Sequence, residues 1–203
     1  MIKAIIFDFD GVLADTYNIS FQIATQLHPN ITKQDFLNIF MGNVYVTAGV
    51  HFTKKDIPIF FEKLKQAFTS KHFFAVRPML EKLGERYKLF IISGTIDDNI
   101  KHFLQLGNLG GYFQKILGAT THRSKVERFK IVFRDYNLAP KECLFITDTV
   151  GDIVEAREAN VESVAVTWGF HNEQLLLDHN PLAVAHSPEE LVTVIEKLSQ
   201  QQP

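Results

Sequence analysis

The sequence is almost free of cysteine, since Cys143 is the single one among 203 residues. An internal disulfide is therefore excluded, and this cysteine usage is typical of a reducing compartment. No apolar run approaches the roughly 18 residues that cross a bilayer. Asp8 and Asp10 also interrupt the N-terminal stretch where a signal peptide needs continuous apolar residues. We therefore expect a cytoplasmic protein with no membrane partner.

The chain also lacks an excess of either charge. Its 21 Lys and Arg residues stand against 23 Asp and Glu, a formal net charge of −2 at pH 7. Such a balance provides no basic surface for nucleic acid or anionic lipid. The eight histidines show no HxxxH or Cys/His ligand spacing, which argues against zinc. A small molecule is the expected partner, and the sequence does not indicate an oligomeric state.

Short apolar segments alternate with helix-like segments over most of the chain. We predict strands at 2–7, 88–92, 115–117, 143–146, 163–166 and 182–184. We predict helices between the later strands at 78–86, 96–106, 124–137, 150–160 and 188–198. Most of these strands lack polar–apolar alternation, as expected when both faces are covered. The pattern predicts an α/β fold, a Rossmann-like parallel sheet with helices on both faces.

Residues 15–76 interrupt this alternation. They contain three helix-like stretches, at 17–27, 34–41 and 57–69, with no convincing strand. This predicts a small α-helical cap inserted after the first strand, with residues 1–14 and 77–203 forming the core. Phenylalanines recur in the segment at helical spacing, which favours packing over ligand contact. Lys54 and Lys55 are its candidates for contact with a substrate, although ordinary surface charge is the favoured interpretation of both.

Two pairs of acidic residues follow predicted strands. Asp8 and Asp10 project the same way, because residues i and i+2 of a strand share a face. They lie where open α/β sheets bind ligands, although a helix cap and a solvent-facing acid explain the pair equally well. Asp148 and Asp152 follow the strand at 143–146. Clustered carboxylates need a cation, and oxygen ligands suit magnesium.

Phosphate-binding groups follow two other strands. Ser93 and Gly94 offer a hydroxyl and free amides at a helix start, which suits an anionic oxygen. A simple helix N-cap is the alternative interpretation of this stretch. Lys125 begins the helix that leads into the Asp148 strand, where an isolated lysine is usually solvated. Together with the acids, these groups predict a phosphate site.

These motifs resemble those of the haloacid dehalogenase-like superfamily of phosphohydrolases. DFDGVLAD is similar to its first motif, IISGT to its second, SKVERF to its third and ITDTVGD to its fourth. An insertion directly after the first motif resembles the helical cap of the phosphoglycolate phosphatase and β-phosphoglucomutase type. Two positions depart from the pattern. No proline follows Lys125, which leaves Lys130 as an alternative, and Thr147 stands where glycine often precedes Asp148.

The resemblance implies a magnesium-dependent phosphatase that hydrolyses a small phosphorylated metabolite through an aspartyl-phosphate. It implies Asp8 as nucleophile and Asp10 as general acid and base. Ser93, Gly94 and Lys125 are implied to bind phosphoryl oxygens. Magnesium is implied to be held by Asp8, the Asp10 backbone carbonyl and Asp148, while Asp152 binds it through water or orients Lys125. A phosphomutase and a catalytically inactive binding protein of the same fold are the alternatives.

Overall fold

The computed structural model describes residues 1–201, in which six strands form one parallel sheet. The strands are β1 (Ala4–Phe7), β2 (Lys88–Ile92), β3 (Phe113–Leu117), β4 (Cys143–Thr147), β5 (Glu162–Val166) and β6 (Ala183–Ala185). Their order is β3-β2-β1-β4-β5-β6, and every neighbouring pair is parallel. All six predicted strands are present, and the predicted α/β fold is confirmed.

The helices lie between successive strands, as the alternation predicts, except for the last one, which follows β6. They are α1 (Tyr17–Leu27), α2 (Lys33–Asn38), α3 (Val44–Thr47), α4 (Asp56–Ala67), α5 (Arg77–Gly84), α6 (Asp97–Leu106), α7 (Lys125–Tyr136), α8 (Val150–Glu158), α9 (Glu173–Leu177) and α10 (Pro188–Gln201). The two that were not predicted, α3 and α9, are too short to show a helical period in the sequence. Among residues 1–201, no helix has the length and apolar character needed to cross a membrane.

Both faces of the sheet are buried, because successive strand residues point to opposite sides. Ile5 and Phe7 of β1 belong to one apolar cluster, which includes side chains of α5, α6 and α10. Ala4 and Ile6 belong to the opposite cluster, together with Phe129 of α7 and residues of α8. This two-sided burial explains why the strand sequences are continuously apolar.

The order of the strands creates a crevice beside β1. The chain builds β1, β2 and β3 outward on one side, then crosses back to place β4 on the other side of β1. A reversal of this kind leaves a crevice at the carboxyl ends of the strands, where α/β proteins bind ligands. Asp8 follows β1 directly and Asp148 follows β4 directly, so both acids lie at this crevice.

Residues 15–76 form α1 to α4 between β1 and α5. A capping box of Thr32 and Asp35 fixes the start of α2. The stretch of chain that enters this segment and the stretch that leaves it are hydrogen-bonded to each other. The Asp15 N–H donates to the His72 carbonyl at 2.7 Å, and the Phe74 N–H donates to the Leu13 carbonyl at 3.1 Å. The division of the chain into a core and a cap at these positions stays a prediction.

We predict that Phe129→Ala destabilises the protein by about 3–5 kcal/mol, because truncating a fully buried phenylalanine leaves a cavity. Phe129 is fully buried and packs edge-to-face on Phe145 at 5.1 Å. Urea unfolding followed by circular dichroism measures the change. Val50→Ala is the control, since Val50 is 81% exposed and its truncation is expected to change stability by less than about 0.5 kcal/mol. Equal losses in the two variants would contradict the described core.

Candidate active site

A buried lysine joins two acids at the carboxyl edge of the sheet. Lys125 Nζ lies 3.1 Å from Asp8 Oδ2 and 2.5 Å from Asp152 Oδ2. All three side chains are buried. The end of β1, the first turn of α7 and the first turn of α8 therefore converge on one point.

The single ammonium does not balance both acids equally. Burial raises the pKa of Asp8 well above its ordinary value, and Lys125 offsets this only in part. Burial opposes ionisation of Asp152 too, but Lys125 and hydrogen bonds lower the pKa of that group. Burial would lower the pKa of Lys125, yet Asp152 and Asp8 raise it overall, which keeps the amine protonated. Asp8 is consequently left short of positive charge.

Three hydroxyl groups hold the carboxylate of Asp10. Thr16 Oγ1 donates to Asp10 Oδ1 at 2.8 Å, while Thr95 Oγ1 and Ser93 Oγ donate to Oδ2 at 2.7 and 3.3 Å. Burial raises the pKa of Asp10, and the hydroxyl donors oppose that rise. Ser93 thus lies beside Asp10, and its phosphate-binding role stays a prediction. The contacts of Thr16 and Thr95 with Asp10 were missed, because isolated threonines carry no spacing signal.

Asp148 is held in a tight cradle beside β1. Its Oδ2 accepts a hydrogen bond from the Phe170 N–H at 2.7 Å. A Cβ added at Gly11, where φ is +73°, would lie 2.0 Å from that oxygen, and one at Gly169 would lie 2.2 Å from it. Only glycine therefore fits at either position. Burial raises the pKa of Asp148 to about 8.

The second oxygen of Asp148 indicates what the cradle can hold. Oδ1 is buried and finds no hydrogen-bond partner within residues 1–201. A buried, unpartnered carboxylate oxygen is costly unless a cation meets it. The described residues contain no group of three or more His, Cys, Asp or Glu side chains that could hold a metal by themselves. Asp148 with a neighbouring carboxylate, a carbonyl and water nevertheless fits a hard divalent cation, which typically keeps several waters.

The Asp152 carboxylate is paired with Lys125 and is not free at the crevice. Its Oδ2 accepts from Lys125 Nζ and, at 2.8 Å, from Thr147 Oγ1. Thr147, which departs from the glycine of the family motif, therefore gains a function as a hydrogen-bond donor. These contacts favour the predicted orienting role of Asp152 over metal binding through water.

A buried arginine lies next to Ser93 and the start of α7. Arg128 Nη1 donates to the carbonyls of Ser93 and Leu117, and Nε donates to the Ser124 carbonyl at 3.3 Å. Burial lowers the pKa of Arg128, but guanidinium groups stay charged in proteins. Arg128 was not predicted from the sequence. Its position one helical turn after Lys125 was the available signal.

Gly94 and Lys130 differ in where the structure places them. The Gly94 carbonyl accepts from the Tyr45 hydroxyl at 2.8 Å, and its N–H donates to no group of the described chain. Gly94 therefore offers a free amide beside Asp10. Lys130 points away from the site, because its side chain is 62% exposed and Nζ contacts Glu127 at 2.7 Å. Lys125 is the lysine that reaches Asp8.

Residues 15–76 contact the core beside the start of α7. Asn43 Nδ2 donates to Glu155 Oε1 at 2.9 Å, and the same oxygen accepts from the Lys125 N–H at 2.9 Å. A Cβ at Gly151 would lie 2.3 Å from the Gly42 carbonyl oxygen, so the two backbones touch. The segment is therefore connected to the start of α7 through Glu155, a buried acid that the sequence analysis missed.

A cavity of about 460 Å³ lies between this segment and the crevice, and Asp8 and Asp10 both line it. Lys54 lines it as well, but Lys55 is not among its lining residues. The expectation that the phenylalanines of the segment serve packing is correct for Phe68, which is buried and stacks on Phe103 at 4.0 Å. It is incomplete for five others. Phe36, Phe40, Phe52, Phe60 and Phe61 line the cavity.

Comparison with known proteins agrees with this geometry. A phosphoglycolate phosphatase of Synechococcus elongatus is 26% identical over 211 residues, which cover 98% of this chain and 100% of that protein. Pyrophosphatase PpaX of Bacillus velezensis is 26% identical over 199 residues, covering 89% and 90%. A haloacid dehalogenase-like hydrolase from Streptococcus pneumoniae has a similar fold, with a TM-score of 0.81, 23% identity and coverage of 96% and 98%.

The family model of the haloacid dehalogenase-like hydrolases matches residues 5–166. That range contains both acids after β1, the buried lysine and both acids after β4. It also spans the crevice between β1 and β4 and the whole of residues 15–76. A match over most of the chain, with the site inside it, leads to one conclusion: this protein belongs to the haloacid dehalogenase-like hydrolase family.

Proposed function

We propose that the protein is a magnesium-dependent phosphatase that hydrolyses a small phosphorylated metabolite through an aspartyl-phosphate. The observation that carries this proposal is Asp8, a buried carboxylate at a cavity, with the Lys125 ammonium on one side and the orphaned oxygen of Asp148 nearby. Relatives named phosphoglycolate phosphatase and pyrophosphatase support phosphoryl chemistry. The protein would share the hydrolysis of a bond to phosphorus with these relatives, but this similarity does not identify its leaving group.

In the first step, a carboxylate oxygen of Asp8 forms a bond to phosphorus, and the bond from phosphorus to the leaving oxygen breaks. Asp10 donates its proton to that oxygen, which leaves as an alcohol. The raised pKa of Asp10 supports this role, because the group must carry a proton at the start. Covalent catalysis of this kind replaces one difficult displacement by two easier ones.

In the second step, water attacks the phosphorus of the aspartyl-phosphate. Asp10, now a carboxylate, takes the proton of that water, and inorganic phosphate leaves as Asp8 is regenerated. The hydroxyls of Thr16 and Thr95 suit this stage, because they stabilise the ionised form of Asp10. The same carboxyl group thus alternates between acid and base.

The remaining groups orient the phosphoryl group and balance its charge. Lys125, Ser93 and the free Gly94 amide would bind equatorial oxygens, where charge must be stabilised in the transition state. Magnesium would be held by Asp8, the Asp10 backbone carbonyl and Asp148, and when bound it would offset the negative charge of phosphate and carboxylates. Asp152 would keep the Lys125 ammonium pointed at Asp8 through their direct contact.

Residues 15–76 would act as a cap over a core formed by residues 1–14 and 77–203. The paired chain crossings near Asp15 and Phe74 support a hinge at these positions. The contacts of Asn43 with Glu155 and of Tyr45 with Gly94 support closure onto the site. A closed cap excludes water and strengthens the electrostatic interactions inside.

We predict that Asp8→Asn lowers phosphatase turnover by on the order of 10³-fold or more, because the amide has the shape of the acid but is no nucleophile. Release of inorganic phosphate from a generic phosphate ester with Mg²⁺ measures this. Asp98→Asn is the control, since Asp98 is exposed on α6 and the turnover of this variant is expected to match the wild type. Full activity of Asp8→Asn, in a protein with unchanged circular dichroism, would refute the nucleophile.

A second prediction concerns the metal. Saturating Mg²⁺ is expected to raise the melting temperature of the wild type by several degrees, because a ligand at about 100 times its Kd contributes about 2.7 kcal/mol. Asp148→Asn is expected to lose most of this response, since its amide cannot supply the second carboxylate. The exposed Asp98 provides the control variant Asp98→Asn, which should respond like the wild type. An undiminished response in Asp148→Asn would remove Asp148 from the metal site.

A further inference from the structure

The cavity above Asp8 has an apolar wall that the phosphoryl chemistry does not use. Its volume of about 460 Å³ lies within the range of about 300–1,000 Å³ that is usual for small-molecule sites. Six phenylalanines line it, namely Phe36, Phe40, Phe52, Phe60, Phe61 and Phe170. We call these six residues the phenylalanine wall. A phosphoryl group bound beside Asp8 and Lys125 would leave most of this space to the leaving alcohol.

The phenylalanine wall keeps apolar surface uncovered. Phe40, Phe52, Phe60, Phe61 and Phe170 are only partly buried, in contrast to the fully buried aromatic side chains of the sheet core. The rings meet one another mainly edge to face, as Phe40 does with Phe170 at 4.9 Å and Phe60 with Phe61 at 5.7 Å. Uncovered apolar surface inside a concave site is a typical binding surface for an apolar ligand.

Few polar groups accompany this wall. Of the described residues in the 15–76 segment that line the cavity, Lys54 alone carries a charge, and its side chain is exposed to solvent. Arg123, on the core side, is also exposed and lies over the Tyr45 ring at 5.3 Å. The Tyr45 hydroxyl is already used by the Gly94 carbonyl. Ser20 and Thr53 are the other hydroxyl side chains of this segment at the cavity besides Tyr45, and Thr53 Oγ1 already donates to Asp56. A carboxylate or several hydroxyls placed against the six rings would therefore lose water and gain few partners there.

We propose that the physiological substrate is a phosphate monoester whose leaving alcohol is apolar and ring-sized, bound by the phenylalanine wall. This inference rests on the proposed phosphatase function and adds the chemical class of the alcohol. An apolar alcohol differs from the leaving groups of phosphoglycolate and of inorganic pyrophosphate, the substrates that the names of two relatives indicate. Both of those leaving groups are anionic and would face phenylalanine rings here.

The test compares esters whose alcohols are equally poor leaving groups but differ in apolar size. Ethyl, benzyl and 2-naphthylmethyl phosphate serve this purpose, because each releases an unactivated primary alcohol, and 2-phosphoglycolate is the anionic comparison. We expect kcat/KM with Mg²⁺ to rise at least about tenfold from the ethyl to the naphthylmethyl ester, since apolar contacts discriminate by about 10- to 200-fold. A flat series, or a preference for 2-phosphoglycolate, overturns the apolar class while leaving the phosphatase function intact.

Variants of the wall connect the preference to these side chains. Phe52→Ala is expected to lower kcat/KM for the naphthylmethyl ester about tenfold, mainly through KM, and to change the ethyl ester less than about twofold. Phe52→Leu, a milder change for folding, should lose less. The matched control is Phe133→Ala, because Phe133 is also partly buried but lies on α7 outside the cavity. An equal effect of Phe52→Ala on both esters, with an unchanged melting temperature, contradicts the proposal.

A binding measurement separates the two levels of the proposal. Asp8→Asn, which cannot turn over the ester, is titrated calorimetrically with ethyl and 2-naphthylmethyl phosphate in Mg²⁺. At least tenfold tighter binding of the naphthylmethyl ester supports the apolar class, even if the wild type hydrolyses none of the esters and the phosphatase function fails. Equal binding of the two esters overturns the apolar class, whatever the turnover of the wild type.

Discussion

The structure depends on a local imbalance of buried charge. Asp8, Asp148 and Asp152 are buried at the carboxyl edge of the sheet, and one buried ammonium, that of Lys125, faces two of them. Asp152 is satisfied, whereas Asp8 and Asp148 have raised pKa values because burial outweighs their partners. A folded chain tolerates such a cluster when a cation and a substrate meet it. The unbalanced negative charge thus destabilises the folded chain, and it also enables the site to meet a cation and a substrate.

The rest of the fold positions the residues of this cluster. The reversal of strand order beside β1 brings the acids of β1 and β4 to one crevice, and glycines 11 and 169 leave room for Asp148 between them. Helix α7 supplies Lys125 and Arg128 from one face. Glu155 connects the backbone of Lys125 to Asn43, which lies in residues 15–76. A movement of residues 15–76 would therefore be transmitted to Lys125, the lysine that contacts Asp8.

Much of this arrangement could be predicted from the sequence, for identifiable reasons. Apolar runs such as 88–92 specify buried strands, and acids directly after a strand can lie only at its carboxyl end. Thr16 and Glu155 were missed because their roles depend on tertiary contacts that no local pattern encodes, whereas Arg128 had a local signal in its position one helical turn after Lys125. The phenylalanines of residues 15–76 show in the same way that tertiary contacts cannot be predicted from a local pattern. Helical spacing placed them on one face, but it could not distinguish a face turned to the core from one turned to a cavity.

The most direct test of the central claim is to locate the phosphoryl group on the protein during turnover. The wild type is mixed with benzyl phosphate and Mg²⁺, quenched in acid within milliseconds, digested and mapped by peptide mass. The account predicts a phosphoryl group on the carboxylate of Asp8 that appears during turnover and disappears when substrate is exhausted. Active turnover with the phosphoryl group on another residue, or with no phosphorylated peptide at any time, would contradict it.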